Sequence, residues 1–356
     1  MDYLIPTNDP RMLFAFWLGV CVVVVSVVML IAILVIRQWV ERSERIHRNA
    51  AERWRAILVD AAHGRDVPAP KLPRSELSGF IDVWNELHDA SNVAPDAHAG
   101  MVRVAEQVGL EDQLYHSIDH GNFHNRVMAI VATGHLRSAR HFEKLARLLS
   151  DNSPIVSISA ARAMMKIDPA HAVQLVVPKI VDRKDWVDGG VAQVLHEAGA
   201  KLVAPELSSA TLQVNDDVAS RLVRFLAGID PAAATPVIRK ILDEAHDEHL
   251  VSTCLQVMTD GSDLAVVRPL LQHPRWHVRM HAASAVGKFG GQGDLAGLQP
   301  LLADAQWWVR YRTAQAIQKL AGAPGEVERI RDGQQDRFAR DILDHVIAEQ
   351  AMGVSR

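Results

Sequence analysis

The sequence is poor in cysteine and in aromatic residues, and neither sign of charge dominates it. Two cysteines among 356 residues, Cys21 and Cys254, leave no disulfide framework and no cysteine-based zinc spacing, which fits a reducing compartment. A net charge of −4 at pH 7 gives no general attraction to nucleic acid. Because 49% of the residues are apolar but only 5% are aromatic, we expect a core of packed Ala, Leu and Val side chains from helices.

A second absence lies near the N-terminus, where no charged residue occurs from Met12 to Ile36. A helix of this length measures about 37 Å, which is enough to cross a bilayer with some tilt. The alternatives are a cleaved signal peptide and a buried core helix. A signal peptide would have a shorter apolar core and a cleavage site of small residues. We therefore predict a transmembrane helix over residues 12–36.

Arginine is distributed unevenly around this apolar run. Arg11 precedes the run, whereas a cluster of arginines follows it: Arg37, Arg42, Arg45, Arg48, Arg53 and Arg55. Because cytoplasmic flanks carry the excess of Lys and Arg, this asymmetry predicts a short external N-terminus over 1–11 and a cytoplasmic location for the rest. The chain is thus expected to be a single-pass protein of the inner (plasma) membrane that contacts lipid through one helix.

The residues after the apolar run divide into segments by composition. Apolar residues at helical spacing predict a juxtamembrane helix over 37–64, which is either solvated or in contact with anionic headgroups. Three prolines within 65–74 predict a stiff linker between the anchor and the globular part. Helical stretches at 75–110 and 323–356 are expected to cap the two ends of a repeat array, the second ending in a polar tail.

One unit of sequence is written twice, in Leu270–Gly290 and, 31 residues later, in Leu301–Gly322. Each copy contains Leu-Leu, a polar turn and a Val-Arg pair followed by apolar residues at helical spacing, which predicts a pair of helices. Weaker copies, two of them degenerate, can be traced back to Glu111. We therefore predict an all-α chain, in which the N-terminal transmembrane helix is followed over 111–322 by an α-solenoid of about seven helix pairs.

The pattern Leu-Leu-x-Asp…Trp-Val-Arg-x-x-x-Ala-x-Ala-Ile…Leu, from Leu301 to Leu320, resembles a HEAT repeat of the short bacterial kind. The resemblance implies an α-solenoid, and most members of that family bind other molecules rather than transform them. It also implies hydrogen bonds between adjacent units from acids and arginines at repeat positions, here Asp151, Asp304, Arg279 and Arg310. Membrane-anchored HEAT proteins of bacteria are similar in organisation and suggest, as a partner, an inner-membrane assembly such as polysaccharide-synthesis machinery.

Histidine is abundant, with 17 copies, and two sets repeat at intervals of four residues: His116, His120, His124 and His273, His277, His281. Two imidazoles at this spacing can share a metal, but no carboxylate or cysteine completes either set. His196-Glu197 resembles the His-Glu pairs of deoxyhypusine hydroxylase, a HEAT-repeat di-iron enzyme, yet only one such pair occurs in a repeat helix. Nucleophile motifs and phosphate loops are absent. We predict no catalytic residue, no metal and no cofactor.

Three functions make different demands on the sequence. A HEAT-like enzyme of the lyase or hydroxylase type would need convergent acid–base or metal groups. A nucleic-acid-binding HEAT protein would need a basic domain, whereas residues 75–356 have an excess of acidic residues. A membrane-tethered scaffold needs only an anchor and a rigid surface. We therefore predict a scaffold or adaptor that docks a cytoplasmic protein partner and binds no nucleic acid, with both alternatives left open.

The predicted docking surface lies on the outward faces of the second helices. In Trp276–Phe289, helical projection turns the apolar residues inward and His277, His281 and Lys288 outward. The same projection in other units gives a strip that is basic within an acidic domain and includes two tryptophans, a residue type favoured at interface hot spots. Its predicted partner-binding residues are Arg162, Lys166, Trp186, His277, His281, Lys288, Trp308, Arg312, Gln315 and Lys319. The expected partner is an acidic or amphipathic protein segment; ordinary solvated side chains are the alternative.

Overall fold

The computed structural model describes residues 10–90, 94–244 and 246–352, and these contain helices and no strand, as predicted. The chain divides into two compact units, Met1–Ser138 and Ala139–Arg356. The external N-terminus predicted over 1–11 lies almost wholly outside the described residues. The end of the predicted polar tail lies outside them as well.

The described part of the first unit contains five helices: α1 Pro10–Ala62, α2 Leu77–Asp89, α3 Pro95–Gln107, α4 Leu110–His120 and α5 Phe123–Leu136. Helix α1 is 53 residues long. No proline interrupts it after its first residue, and it ends just before Gly64, whose φ of 77° lies in the left-handed region that stops helices. The predicted transmembrane and juxtamembrane helices are therefore one continuous helix.

The C-terminal half of α1 belongs to the core of the first unit, where α1 contacts α2 and α3. Trp54 and Leu58 are fully buried. The rings of Trp54 and Phe80 meet edge to face with centroids 5.1 Å apart, and Trp54 Nε1 donates a hydrogen bond of 3.0 Å to Glu76. The amphipathic spacing of this part of α1 therefore reflects burial against neighbouring helices.

This packing corrects the predicted boundary between anchor and globular part. Arg55 of α1 pairs with Glu86 of α2 through two hydrogen bonds, and Leu72 in the proline-rich segment is buried. Residues 37–64 are thus not a separate stalk, and 65–74 are not a spacer beyond it. The sequence shows that one face of α1 is apolar, but it does not show whether lipid, water or protein meets that face.

The described part of the second unit contains helices α6 to α19: α6 Phe142–Leu148, α7 Pro154–Ile167, α8 Pro169–Asp182, α9 Asp188–Ala198, α10 Ala200–Thr211, α11 Asp216–Ile229, α12 Pro231–Asp243, α13 Glu248–Val257, α14 Leu264–Val267, α15 Trp276–Phe289, α16 Leu295–Leu298, α17 Trp307–Leu320, α18 Glu326–Asp332 and α19 Arg337–Ala351. Short 3₁₀ helices precede or extend some of them: Ala139–His141, Arg268–Gln272, Gln292–Asp294 and Gln299–Ala303. Counted along the chain, α4 to α17 are fourteen helices, of which α4 and α5 belong to the first unit.

Several helices of the second unit begin where a polar side chain or a proline favours a helix start. Asn215 accepts a hydrogen bond from the main-chain nitrogen of Val218, and Asp336 accepts one from Ala339. Pro154 occupies the first position of α7, where its missing N–H costs nothing.

Helices α15 and α17 pack at close range. Val278 and Ala282 are fully buried, as projection of the sequence predicts. A Cβ added at Gly287 would lie 2.4 Å from the Cβ of Ala316, so only glycine permits this approach of the two helices. Small residues at the interface thus set the spacing between these neighbouring pairs.

The hydrogen bonds implied between adjacent units are present for one predicted pair. Arg279 donates to both carboxylate oxygens of Asp304, at 2.7 and 2.9 Å. Arg310 instead donates to the main-chain oxygen of Asp304 in its own turn. The main-chain oxygen of Asp151 accepts a hydrogen bond of 2.7 Å from Arg183, which lies one unit further on. Links between units therefore exist at both sites, but through partly different groups.

Candidate docking surface on helices α15 and α17

Seven of the ten predicted partner-binding residues lie on α15 and α17, and none of these seven is buried. We call this set the α15/α17 strip: His277, His281, Lys288, Trp308, Arg312, Gln315 and Lys319. Since the opposite side of each helix holds buried apolar residues, the strip faces outward. Lys288, Trp308, Arg312 and Lys319 are exposed, whereas His277, His281 and Gln315 are half-buried. The role of all seven in binding stays a prediction.

The cations of the α15/α17 strip have no acidic partner among the described residues. Arg312 donates a hydrogen bond of 3.0 Å to the Gln315 side chain. The Lys288 ammonium lies 3.3 Å from the main-chain oxygen of Met258 and 4.7 Å from the centre of the Phe289 ring. Lys319 is exposed and forms no ion pair in the described structure. The strip is therefore a positive surface whose charges remain available to an anionic group.

His281 lies at the centre of the strip. Its Nε2 is 2.8 Å from the side-chain amide nitrogen of Gln256 on α13. An amide NH₂ group only donates, so Nε2 accepts and the ring is neutral in this arrangement. Burial lowers the pKa of His281 below its ordinary value, and the positive charges of His277 and Arg312 lower it further. A carboxylate placed on the strip would offset those charges and favour the protonated ring.

Trp308 supplies a large apolar surface at one end of the strip, with 51% of the residue exposed. Its ring meets that of Trp307 nearly at right angles, with centroids 4.7 Å apart. The Trp307 ring stacks on Tyr311 at 4.9 Å and 11°. Because neighbouring rings restrict its motion, Trp308 can contact a partner with little further loss of side-chain entropy.

The two cations of the predicted strip on α7 share one carboxylate within the chain. Arg162 Nε lies 3.0 Å from Oε1 of Glu197 on α9, and Lys166 Nζ lies 3.7 Å from the same oxygen. These contacts also engage the carboxylate of the His196-Glu197 pair. Arg162 and Lys166 therefore offer much less free positive charge than the residues of α15 and α17.

Trp186 does not lie on the surface, so its predicted exposure is wrong. It is 2% exposed, and its Nε1 donates a hydrogen bond of 2.9 Å to Ser157. The prediction fails because α9 begins only at Asp188, two residues after Trp186. Trp186 thus precedes the helix and turns inward, whereas Trp308 is the second residue of α17 and turns outward.

The two sets of histidines differ in how they are placed. The rings of His116 and His120 stack at 4.4 Å on α4, whereas His124 lies on α5. His273 lies in the turn before α15. Within residues 10–90, 94–244 and 246–352, no group of three or more His, Cys, Asp or Glu side chains is placed to hold a metal ion.

The first unit contains a cluster of imidazoles that the sequence does not predict. His88 Nε2 lies 3.2 Å from His98 Nδ1, and the rings of His88 and His135 are 5.0 Å apart. The pKa of His98 is lowered by burial and by the charge of Arg137. The three histidines come from α2, α3 and α5, at irregular separations in the chain. No local spacing could therefore have revealed the cluster.

Comparison with known proteins bears on the second unit alone. Residues 253–318 match a family model described as HEAT repeats, which runs from within α13 to near the end of α17. No curated protein matches the chain. HEAT repeats are in general protein-interaction scaffolds, and the family is usually non-catalytic. The match and the all-helical architecture together support a HEAT-repeat protein, and six of the seven residues of the α15/α17 strip fall inside the matched range.

Proposed function

We propose that this chain is a membrane-anchored scaffold whose repeats form an α-solenoid and dock an acidic or amphipathic segment of a protein partner, within an inner-membrane assembly. The observation that carries the docking proposal is the contrast between two parts of the predicted strip. Arg162 and Lys166 share the carboxylate of Glu197, whereas Lys288 and Arg312 have no carboxylate partner in the described structure. Unpaired cations beside a half-exposed tryptophan are suited to an anionic segment with an apolar anchor.

Contacts between helices support the solenoid. Successive second helices of the second unit touch in order: α7 and α9, α9 and α11, α11 and α13, α13 and α15, α15 and α17, α17 and α19. Contact between neighbours in the chain is the defining feature of stacked repeats. Stacking of this kind places the outward faces of the second helices side by side, which a bound segment could follow.

The exposure of α1 supports the membrane anchor. It is the one described helix that is long and apolar enough to cross a membrane. From Phe14 to Ile36 its side chains are exposed except for a half-buried Val20, and they include many large apolar ones. Exposed apolar surface on this scale is costly in water, at about 25 cal/mol per Å². A bilayer would remove that cost.

The anchor is tested by fractionation and by topology. Full-length protein should stay with membranes after washing at alkaline pH, and a reporter fused after Arg356 should be active on the cytoplasmic side. Release by the wash would contradict the anchor. Reporter activity confined to the outside would leave the anchor intact and reverse the orientation.

Docking is tested with Trp308→Ala combined with Arg312→Glu. The partner captured by the unmodified chain in membranes is identified, purified and titrated against both forms. The double variant should bind at least about tenfold more weakly, the loss expected when a hot-spot contact is removed. Its helicity and melting temperature should hardly change, because neither side chain is buried.

Lys201→Glu with Leu202→Ala, an exposed pair on α10, is the matched control and should bind normally. Equal binding by both variants would place the interface elsewhere.

A further inference from the structure

The residue types in the turns that precede the second helices change along the second unit. At the starts of α11 and α13 they are acidic, with Asp216, Asp217, Asp247 and Glu248, whereas before α9 Asp185 and Asp188 are balanced by Arg183 and Lys184. At the starts of α15, α17 and α19 the same edge carries aromatic residues and arginines instead. The edge is thus divided into an acidic stretch and an aromatic stretch.

Three aromatic residues in this second stretch recur every 31 residues: Trp276, Trp307 and Phe338. They are the first residues of α15 and α17 and the second residue of α19. Their exposed fractions are 38%, 44% and 62%. Large aromatic side chains left in water at successive helix starts indicate a surface that contacts something apolar.

Arginines flank two of these rings. Arg275 precedes Trp276, and Arg337 and Arg340 lie on either side of Phe338, all three exposed. Arg275 contacts Glu248 at 3.3 Å, and Arg337 contacts Asp341 at 3.6 Å. Exposed ion pairs of this kind contribute little stabilisation, because water screens both charges. Asp336, next to Arg337, caps α19. Indole and phenyl rings beside long cationic side chains are typical of the boundary between lipid headgroups and acyl chains.

We propose that this aromatic edge, formed by Trp276, Trp307 and Phe338 with Arg275, Arg337 and Arg340, lies against the anionic headgroups of the membrane that α1 crosses. The inference rests on the proposed anchor. The rings form a row along successive helices, which suits a flat lipid surface better than a single peptide pocket. The acidic starts of α11 and α13 are repelled by anionic lipid, which favours contact at the C-terminal end of the unit.

The eight tryptophans of the chain allow a test with internal standards. Full-length protein is labelled with 5-fluorotryptophan, inserted into nanodiscs that contain a lipid spin-labelled near its headgroup, and studied by fluorine NMR. Trp→Phe variants assign the signals. Trp17 and Trp39, both exposed on α1, report on the anchor. The three buried tryptophans should stay sharp: Trp54, Trp84 and Trp186.

In discs rich in phosphatidylglycerol, the signals of Trp276 and Trp307 should broaden with that of Trp17, and in phosphatidylcholine discs they should be sharp. Arg275→Glu with Arg337→Glu and Arg340→Glu should restore sharp signals in the anionic discs. Lys201→Glu with Lys240→Glu, which reverses exposed charges elsewhere, should not.

If Trp17 broadens while Trp276 and Trp307 stay sharp in both kinds of disc, the edge is not a lipid-binding surface, and a protein partner would be its occupant. A sharp Trp17 signal would instead refute the anchor itself, and with it the basis of the inference. Broadening that survives the triple substitution would also overturn the proposal.

Discussion

Arg279 of α15 and Asp304, in the turn before α17, form a bidentate ion pair between neighbouring helix pairs. The Asp304 side chain is only 6% exposed and also accepts a hydrogen bond of 2.9 Å from the main-chain nitrogen of Gln306. Arg279 in turn donates to the main-chain oxygen of His273, at 2.8 Å. One arginine thus ties the turn before its own helix to the turn of the next unit, which fixes the register of the two helices that bear the α15/α17 strip.

Removing this pair should therefore be costly. Asp304→Ala leaves the Arg279 guanidinium largely buried without its anion, and we expect the free energy of unfolding to fall by about 3 kcal/mol. Lys184→Ala is the control, because it removes an ion pair to Asp217 that is exposed on both sides and should cost less than about 0.5 kcal/mol. Urea unfolding followed by circular dichroism measures both. Similar urea midpoints for the two variants would mean that the Arg279–Asp304 pair does not hold the two neighbouring helix pairs together.

The close approach of α15 and α17 gives a second prediction. Gly287→Ala places a methyl group against Ala316, and such overpacking should destabilise the protein by about 1–3 kcal/mol. Gly228→Ala, in α11, meets no atom within 4 Å and should be neutral or stabilising by about 0.5–1 kcal/mol. Thermal melting of the two single variants separates these cases. A stabilising Gly287→Ala would show that the helices are further apart than described here.

The packing of α1 against α2 and α3 in the first unit gives a third prediction. Trp54→Ala removes a fully buried indole and its hydrogen bond to Glu76, at a cost of about 3–5 kcal/mol. Trp39→Ala changes the same residue type on an exposed part of the same helix and should leave stability nearly unchanged. Hydrogen exchange of α2 and α3 in detergent reports the difference. Unchanged protection in Trp54→Ala would mean that α1 is only a tether.

Sequence and structure agree best where the repeat is intact. The Leu-Leu and Val-Arg signals of α15 and α17 place the apolar face, so Trp308 and Arg312 are correctly predicted to point outward. The same period fails at Trp186, because α9 begins two residues after it and the period carries no information on where a helix starts.

Partners that lie far away in the chain cannot be read from local pattern at all. The spacing of Trp54 and Leu58 shows an apolar face of α1, but only the fold shows that α2 and α3 cover it. The same holds for the contact of His88 with His98, and for Glu197, which neutralises Arg162 from the next unit.

Lowering the pH should reduce the folding stability that depends on neutral His281. Its pKa is lowered in the folded protein by burial and by His277 and Arg312, so the unfolded chain binds the proton more readily. The stability from neutral His281 is fully present above the ordinary pKa of 6.5 and is lost as the pH falls through the folded value. Compared with His281→Gln, the wild type should lose more stability between pH 7.5 and 5.5. Identical slopes for His281→Gln and the wild type would contradict this.

The most direct test of the scaffold proposal is site-specific photo-cross-linking of the full-length chain in its native membranes. A photoreactive residue replaces Gln315 on the α15/α17 strip or, as a control, Leu202 on α10. We predict one discrete protein adduct from position 315, none from position 202, and loss of that adduct when Trp308→Ala and Arg312→Glu are added. Adducts from position 202 but not from 315, or an adduct at 315 that survives the double substitution, would contradict docking on this strip.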